Sequence, residues 1–261
     1  MLLWPCAFDA HYIEKEIEMD SCIVEKFKNF IDLTEDEKAL LVSLEETKTH
    51  YTQGENIILK GEESRDIFVI SDGWASISSS LDKNETSILD YRMSGDVAGI
   101  SELSFDYSLY DLKALTDLEV CPFPKKSLSE MVRKAERLCT TFYSILSREQ
   151  SILYERIISL GRRTAIEKVA HFILELSIRS LMINATHKEE FFWPFDQQSL
   201  ADALGISSKQ VNRSLKELRD NEYIDYSRKT LKIVDREKLQ ALSGFNEQFL
   251  QPPNVNWNDF S

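Results

Sequence analysis

Apolar residues recur at helical spacing early in the chain and then give way to short runs broken by glycine. Between residues 25 and 45 they fall three or four positions apart, and Thr34 with Glu37 has the spacing of a capping box, which predicts short helices. From Lys48 to about Pro124 brief strand-like runs follow one another. They are separated by Gly54, Gly61, Gly73, Gly95 and Gly99. This pattern predicts a small antiparallel β-barrel or jelly roll.

A long helical pattern follows the predicted strands. Over residues 135–160 a seam steps by three and four positions, as heptads do. Its members are Leu138, Phe142, Ile145, Glu149, Ile152 and Arg156, and Leu146, Leu153, Ile157 and Leu160 widen it. A helix this long needs an extended apolar neighbour, so we predict a dimerisation helix; the alternative is packing on the chain's own barrel. Gly161-Arg162-Arg163 is a candidate hinge before the next helix, whose apolar face includes Ile166 and Leu176.

Residues 196–221 predict two short helices on either side of a glycine. Gly205 allows a sharp turn, Ala201 lets the second helix pack closely, and Ser207 can cap that helix. This arrangement presents polar side chains to a DNA groove. The candidate DNA-binding residues are Ser207, Ser208, Lys209, Gln210, Asn212, Arg213 and Lys216.

Two alternating strands after these helices predict a wing. Its tip carries Arg228 and Lys229, cations that suit phosphate better than a protein core. The alternative is a small helical subdomain with a hairpin and no role in DNA binding. The joint occurrence of a capping serine, a turn glycine, a polar helix face and a basic wing favours a winged helix-turn-helix.

The charge of the whole chain argues against DNA as a partner, but its distribution does not. The 261 residues carry a formal charge of −13, whereas DNA affinity comes from lysine and arginine. Residues 161–235 hold 12 Lys and Arg against 11 Asp and Glu, so the acidic excess lies elsewhere. No run is long and apolar enough to span a bilayer, and the start lacks the features of a leader. We therefore expect a cytoplasmic protein without membrane contact.

Cysteine and histidine usage indicates neither a disulfide framework nor a metal site. Cys6, Cys22, Cys121 and Cys139 are scattered, so free thiols are expected. The histidines form no i, i+4 pair, and within residues 48–124 only His50 is available to a cupin-type enzyme. We expect no metal, no resident cofactor and no enzymatic activity.

With these elements in order, the chain resembles the CRP/FNR family of bacterial transcription regulators over roughly residues 25–245. The resemblance rests on Lys60-Gly61-Glu62, on the strand Ile67–Gly73, on Ser94-Gly95-Asp96 and on the helix-turn-helix. It implies an α+β chain with a cyclic-nucleotide-binding-like jelly roll, a long dimerisation helix and a C-terminal winged helix-turn-helix.

The resemblance also implies domain limits and partners. We expect an N-terminal extension (residues 1–24), a sensor domain (25–134), a dimerisation helix (135–160), a DNA-binding domain (161–245) and a C-terminal tail (246–261). The expected partners are a second copy of the chain, double-stranded DNA with an inverted repeat, and RNA polymerase. The implied role is that of an activator, although activation or repression also depends on where the operator lies.

Departures from the family pattern bear on the signal. Where cyclic-nucleotide binders carry glutamate and later arginine, this chain has Gly99-Ile100-Ser101 and Ser108-Leu109-Tyr110, which leaves the phosphate without a cation. Iron–sulfur relatives carry closely spaced N-terminal cysteines, whereas only Cys6 and Cys22 precede Cys121 here. We expect a different small effector, or a redox signal in which Cys121 forms a disulfide with an N-terminal cysteine; the alternative is that these cysteines are buried small apolar residues. The candidate effector pocket is formed by Ile100, Glu102, Ser108, Leu109, Leu153 and Tyr154.

Alternative functions remain open at this stage. One is a regulator that is controlled by a cyclic nucleotide or an iron–sulfur cluster after all. Another is a barrel-fold binding protein that has lost DNA recognition and uses its long helix for association.

Overall fold

The N-terminal part of the sensor domain is a pair of short helices. The computed structural model describes residues 21–44, 47–82, 85–181, 189–227 and 229–251. Helix α1 (Cys22–Lys28) is capped by Ser21, and α2 (Glu35–Leu44) begins at the predicted capping box, in which Glu37 accepts from the Thr34 amide. Residues 22–24, which the sequence analysis assigned to an extension, are buried in the core of the sensor domain.

Two four-stranded antiparallel sheets form the body of the sensor domain. The strands are β1 (Thr49–Tyr51), β2 (Asn56–Ile58), β3 (Asp66–Asp72), β4 (Trp74–Asp82), β5 (Glu85–Met93), β6 (Val97–Ala98), β7 (Asp111–Ala114) and β8 (Leu118–Pro124). One sheet has the order β1-β8-β3-β6 and the other β2-β7-β4-β5. The predicted jelly roll is confirmed, as two open sheets rather than a closed barrel.

One of the predicted glycine positions is required by the turn between β3 and β4. Gly73 has φ +88°, and a Cβ atom there would collide with the carbonyl oxygen of Asp117. A side chain at this position would therefore push the β3–β4 turn away from the turn between β7 and β8.

The long helix runs across both halves of the molecule. After α3 (Lys125–Lys134), α4 extends over Glu136–Arg162. Most of the predicted seam is buried within this chain, because Leu138, Phe142, Ile145 and Ile152 pack in its own cores. The predicted phase of the dimer seam is therefore wrong, and the alternative of packing against the same chain applies to that face. A different apolar face of α4 remains exposed.

The break after the long helix lies within the predicted interruption at residues 161–163. Gly161 is inside α4, and the backbone first becomes extended at Arg163, which has φ −85° and ψ 144°. The interruption predicted at Gly161-Arg162-Arg163 therefore falls at its last residue, while Gly161 itself retains helical geometry.

The C-terminal domain contains the predicted helices and wing. Its elements are α5 (Ala165–Leu181), β9 (Glu190–Phe192), α6 (Gln197–Leu204), α7 (Ser208–Asp220), β10 (Ile224–Tyr226), β11 (Thr230–Ile233) and α8 (Arg236–Ser243). The strands pair in the order β10-β11-β9. A short 3-10 turn (Glu247–Leu250) buries Leu250, so part of the expected tail belongs to the folded body.

The DNA-binding domain packs directly on the sensor domain. The hydroxyl of Tyr91 on β5 donates to the carbonyl oxygen of Ser199 on α6 at 2.9 Å. Trp74 meets Phe195 edge to face with ring centroids 5.4 Å apart.

Within the residues that the structure describes, no helix is long and apolar enough to cross a membrane.

Candidate nucleic-acid interface

Helix α7 is started by a reciprocal capping box. The Ser207 hydroxyl accepts from the Gln210 amide at 3.3 Å, and the Gln210 side-chain oxygen accepts from the Ser207 amide at 2.9 Å. Both side chains are exposed, but their oxygens are engaged in the cap. These two residues therefore fix where α7 begins, and only the amide nitrogen of Gln210 is left to donate to a base.

The turn before α7 depends on Gly205. This residue ends α6 in the left-handed region at φ +59°, where glycine carries no steric penalty. A Cβ atom there would lie 3.1 Å from a methyl group of Leu160 on the long helix. The turn of the helix-turn-helix thus rests on the end of α4.

Three cations form one face of α7. Lys209, Arg213 and Lys216 are four and three positions apart, which places them on the same side of a helix. All three are exposed, and none makes an ion pair with another described residue. We call these three residues the basic stripe.

Two other residues that were predicted to contact DNA, Ser208 and Asn212, form hydrogen bonds with the neighbouring helix α6. The Ser208 hydroxyl donates to the Gln198 side chain at 2.7 Å, and the amides of Asn212 and Gln197 exchange hydrogen bonds of 2.5 and 2.6 Å. Sequence reasoning did not single out Gln197 or Gln198. The sequence feature that could have identified them is their position in the first turn of α6, because this turn must face the first turns of α7 in this motif.

The wing tip is only partly described. Lys229 is exposed beside the start of β11, whereas Arg228 lies outside the described residues. Arg219, near the end of α7, places its guanidinium 5.3 Å from the ring centre of Tyr226 on β10. This contact joins the recognition helix to the wing.

A cluster of buried charges lies beneath the DNA-binding domain. It contains Lys26, Asp90, Arg92, Asp96, Glu149, Arg156, Glu175 and Arg179. Arg156 contacts Asp90 at 2.6 Å and Glu175 at 3.0 Å, while Arg92 pairs with both Asp90 and Glu149. The buried charge cluster joins β5, α4 and α5, and sequence reasoning missed it except for Glu149 and Arg156, which were assigned to a dimer seam.

Electrostatics within this cluster favours the ionised carboxylates of Asp90, Asp96 and Glu175, whereas burial lowers the pKa of the Lys26 ammonium. Burial raises the pKa of Asp96, but the guanidinium of Arg179 and the ammonium of Lys26 outweigh burial and hold that pKa well below its usual value. Each charge therefore depends on partners from another element.

The predicted effector pocket is divided by the structure. Glu102 and Ser108 line a small cavity in the jelly roll together with Asp66, Tyr110 and Asp111. Ile100 and Leu109 lie outside its lining, and Ile100 packs toward the core near α1. Leu153 and Tyr154 are exposed on α4 and do not reach it. The six residues do not form one site in this structure.

The described lining of this cavity is acidic and contains no lysine, arginine or histidine. The ammonium of nearby Lys125 is bound to the backbone oxygens of Glu102 and Phe105 at 2.6 and 3.0 Å. A cyclic phosphate placed here would meet carboxylates without a cation.

The cysteines differ from the expectation of free thiols. Cys22 and Cys121, 99 residues apart in the chain, form a disulfide with Cα atoms 6.4 Å apart. Cys139 is free and half-buried, and Cys6 lies outside the described residues. The alternative of a disulfide between Cys121 and an N-terminal cysteine therefore applies, and Cys22 on α1 is the partner.

An iron–sulfur cluster, which occurs in some relatives of this fold, does not fit the described donor set. Such a cluster needs thiolates that converge on it, and two of the described cysteines are bonded to each other. Within the described ranges no three His, Cys, Asp or Glu side chains are grouped so as to hold a metal ion.

Two family models match this chain. The cyclic nucleotide-binding domain matches residues 48–135, and the Crp-like helix-turn-helix domain matches residues 167–242. Together they cover the jelly roll and the helices and wing that carry the basic stripe.

Curated relatives match most of this chain. The transcriptional activator protein FnrA of Stutzerimonas stutzeri is 24% identical over 192 residues, which are 74% of this chain and 78% of that protein. The fumarate and nitrate reduction regulatory protein of Vibrio cholerae is 22% identical over 232 residues, 89% of this chain and 92% of that one.

A solved structure shows the same fold. FixK2 from Bradyrhizobium japonicum matches with a TM-score of 0.69 at 21% identity, covering 77% of this chain and 98% of FixK2. Members of the family are transcription regulators rather than enzymes. From the two domain matches, the relatives and the placement of the recognition helix, we conclude that this chain belongs to the CRP/FNR family and is a DNA-binding transcription regulator.

Proposed function

We propose that two copies of this chain bind an inverted-repeat operator and that each inserts α7 into a major groove. The observation that carries the proposal is the basic stripe, which is exposed and held in place by the Ser207 cap and the Gly205 turn. Lysine and arginine at the start of a recognition helix bind guanine edges and phosphates. Lys229 at the wing tip supplies a further phosphate contact.

The second copy pairs along the exposed face of α4. Tyr143, Leu153, Ile157 and Leu160 are 61%, 44%, 64% and 50% exposed and, with Leu146 and Gln150, follow the alternating three and four spacing of a coiled coil. We call these six residues the α4 stripe. A largely apolar, exposed strip of this length is typical of a protein interface rather than of a monomer surface.

The twofold arrangement predicts the operator. Recognition helices related by a twofold axis contact half-sites about 34–36 Å apart, one turn of DNA. Selection of bound duplexes from a random pool with the purified protein tests this directly, and we expect an inverted repeat with that spacing. Recovery of no enriched sequence at low salt, with the disulfide either intact or reduced, contradicts the proposal.

A small effector or the redox state of Cys121 controls the protein in this proposal. The acidic cavity around Glu102 disfavours a cyclic nucleotide, and the Cys22–Cys121 disulfide gives specific support to a redox signal because it ties α1 to β8. Operator affinity is measured with and without reductant, alongside Cys121→Ser. A redox signal requires that reductant changes the affinity of the native protein and leaves that of the variant constant; equal responses exclude it.

The remaining assignments follow from the same role. We assign activation of transcription through contact with RNA polymerase, in the cytoplasm and without enzymatic activity; FnrA, a relative, is named an activator. Transcription in vitro from a promoter bearing the selected operator checks this, and repression or no change at every operator position contradicts activation.

A further inference from the structure

A short stretch of extended backbone joins the DNA-binding domain to the long helix. Helix α4 ends at Arg162, Arg163 has φ −85° and ψ 144°, and α5 begins at Ala165. A junction of this kind allows two bodies to rotate about it unless other contacts fix them. The orientation of the recognition helix relative to α4 therefore depends on contacts between the two domains.

Helix α6 carries such contacts at both of its ends. In its first turn, the carbonyl oxygen of Ser199 accepts a hydrogen bond of 2.9 Å from the hydroxyl of Tyr91 on β5. Just after its last residue, a Cβ atom on Gly205 would lie 3.1 Å from a methyl group of Leu160 on α4. The sensor domain thus holds one end of α6, and the long helix holds the other.

Aromatic rings surround the contact between Tyr91 and α6. The ring centroid of Tyr91 lies 4.6 Å from that of Phe195, which precedes the N-cap of α6, and 6.0 Å from that of Phe172 on α5. Trp74 packs on the other side of this group, against Phe195. Tyr91 is 0% exposed. Because a buried tyrosine hydroxyl needs a hydrogen-bond partner, its position determines where the first turn of α6 can lie.

The first turn of α6 is in turn bonded to the recognition helix. Gln198 accepts from the Ser208 hydroxyl, and Gln197 exchanges two hydrogen bonds with Asn212. Both glutamines belong to the turn that Tyr91 contacts. A rotation of this turn therefore moves α7 and its basic stripe as well.

We propose that Tyr91 is a positioning residue for operator recognition, whose hydroxyl holds α6 in the orientation that sets the distance between the two recognition helices of a dimer. The inference rests on the proposed pairing of two chains on an inverted repeat. Because Tyr91 is buried, it acts through the Ser199 carbonyl and α6 rather than by contact with DNA.

This role makes Tyr91 a determinant of half-site spacing. When the half-sites are moved along and around the duplex, one subunit reaches its half-site only if its DNA-binding domain leaves the docked position. That movement breaks the hydrogen bond between Tyr91 and Ser199, so the bond adds to the penalty for the wrong spacing. A bond of this kind changes an equilibrium by about 2–10-fold.

The test measures affinity for the selected operator and for the same operator with two base pairs inserted between its half-sites, by fluorescence anisotropy. We expect the native protein to prefer the selected spacing. Tyr91→Phe retains the ring and removes the hydroxyl, and we expect it to reduce this preference by about 2–10-fold because the altered operator binds more tightly. Tyr107→Phe, at a tyrosine 61% exposed in the jelly roll, is the matched control and retains the native preference.

Two results overturn the role of Tyr91. One is a folded Tyr91→Phe protein with the native preference. The other is a loss of affinity that is equal at both spacings, since a tyrosine that only stabilises the fold produces that result. Should Tyr91→Phe melt early, Trp74→Phe weakens the same docking through Phe195 and must reduce the preference for the proposal to hold.

The same measurements separate this proposal from the proposed function. A native protein that prefers one spacing, with the same preference in Tyr91→Phe and Trp74→Phe, contradicts only the role of Tyr91. A native protein that binds both spacings equally, or binds no duplex, contradicts the twofold operator and the role of Tyr91 together.

Discussion

Arg179 donates a 2.6 Å hydrogen bond to the carboxylate of Asp96, which joins the first helix of the DNA-binding domain to the sensor domain. The same guanidinium donates to the backbone oxygen of Tyr91 at 2.8 Å and pairs with Glu175 at 3.0 Å. All of these groups are buried. One side chain therefore holds two domains together through charges that have no access to bulk water.

Replacing Arg179 with methionine should destabilise the protein strongly. The change leaves Asp96 and Glu175 buried with less compensation, and loss of one partner from a buried ion pair costs about 3–5 kcal/mol. Urea unfolding measures the difference. Arg133→Met, at an exposed position on α3, is the control and should stay within about 0.5 kcal/mol of the native protein. A loss below about 1 kcal/mol for Arg179→Met would show that water reaches the cluster.

Lowering the pH from 6.5 toward 4 should destabilise the protein because of the titration of His171. Its pKa is lowered from 6.5 to about 4 in the folded state, first by burial and then by Arg163. Between these values the unfolded chain takes up a proton and the folded chain does not, so this contribution is complete above pH 6.5 and is lost as pH falls toward 4. The loss amounts to at most about 3 kcal/mol.

The matched variant for this measurement is His171→Phe, which retains an aromatic ring beside Phe245 and Phe249. Urea unfolding at several pH values should show a weaker dependence between pH 6.5 and 4.5 in the variant. The pKa values of the buried Asp90, Asp96 and Glu175 carboxyls lie below their usual values because of neighbouring arginines, so these groups do not produce the difference between the two proteins. Parallel curves for the two proteins would contradict the assignment of this dependence to His171.

Alanine at Gly205 should lower both stability and DNA affinity. The left-handed backbone at φ +59° costs a residue with a side chain about 1 kcal/mol, and the new methyl group would press on Leu160. Gly161→Ala provides the contrast, because Gly161 is helical and nothing lies within 4 Å of its missing side chain. We expect that variant to gain up to about 1 kcal/mol in thermal unfolding. Equal effects of the two substitutions would contradict the prediction.

Removing Arg213 should weaken operator binding by about 1–3 kcal/mol and relax one base position if the guanidinium reads a guanine. Fluorescence anisotropy with single-base operator variants measures both effects. Arg219→Ala is the control on the same helix, since this side chain lies over Tyr226 and outside the basic stripe. A uniform loss over all sequences would assign Arg213 to a phosphate.

A charged side chain introduced into the α4 stripe should dissociate the dimer into monomers. Ile157 is 64% exposed in the single chain, and lysine at that position would be buried without a partner in a paired helix. Sedimentation equilibrium should show Ile157→Lys as a monomer, whereas Ile157→Leu remains a dimer. A dimeric Ile157→Lys protein would move the interface elsewhere.

Local signals were sufficient to predict the helix-turn-helix. The cap at Ser207 and the turn at Gly205 depend on residues within four positions of each other, and the two predicted wing strands pair across a short turn. The structure confirms each of these elements. The DNA-binding role of individual side chains stays a prediction, and for Ser208 and Asn212 the structure adds bonds to α6 that spacing alone does not reveal.

Relationships between distant residues could not be read from the sequence. Helix α4 carries apolar residues at heptad spacing on two faces, and periodicity does not say which face its own chain covers. The disulfide partner of Cys121 and the buried charge cluster could not be predicted for the same reason. Cys22 gives no local sign of Cys121, and an isolated arginine such as Arg179 is expected at the surface until its partners are known.

The buried charge cluster restricts how this regulator can recombine with others. A hybrid that keeps residues 1–162 and takes its DNA-binding domain from another protein would leave Asp90 and Asp96 without Arg179. The sensor domain and the DNA-binding domain are therefore not freely interchangeable between regulators. A functional chimera has to carry compatible charges on both sides of the junction. New operator specificities are more easily obtained by exchanging the outward side chains of α7 alone.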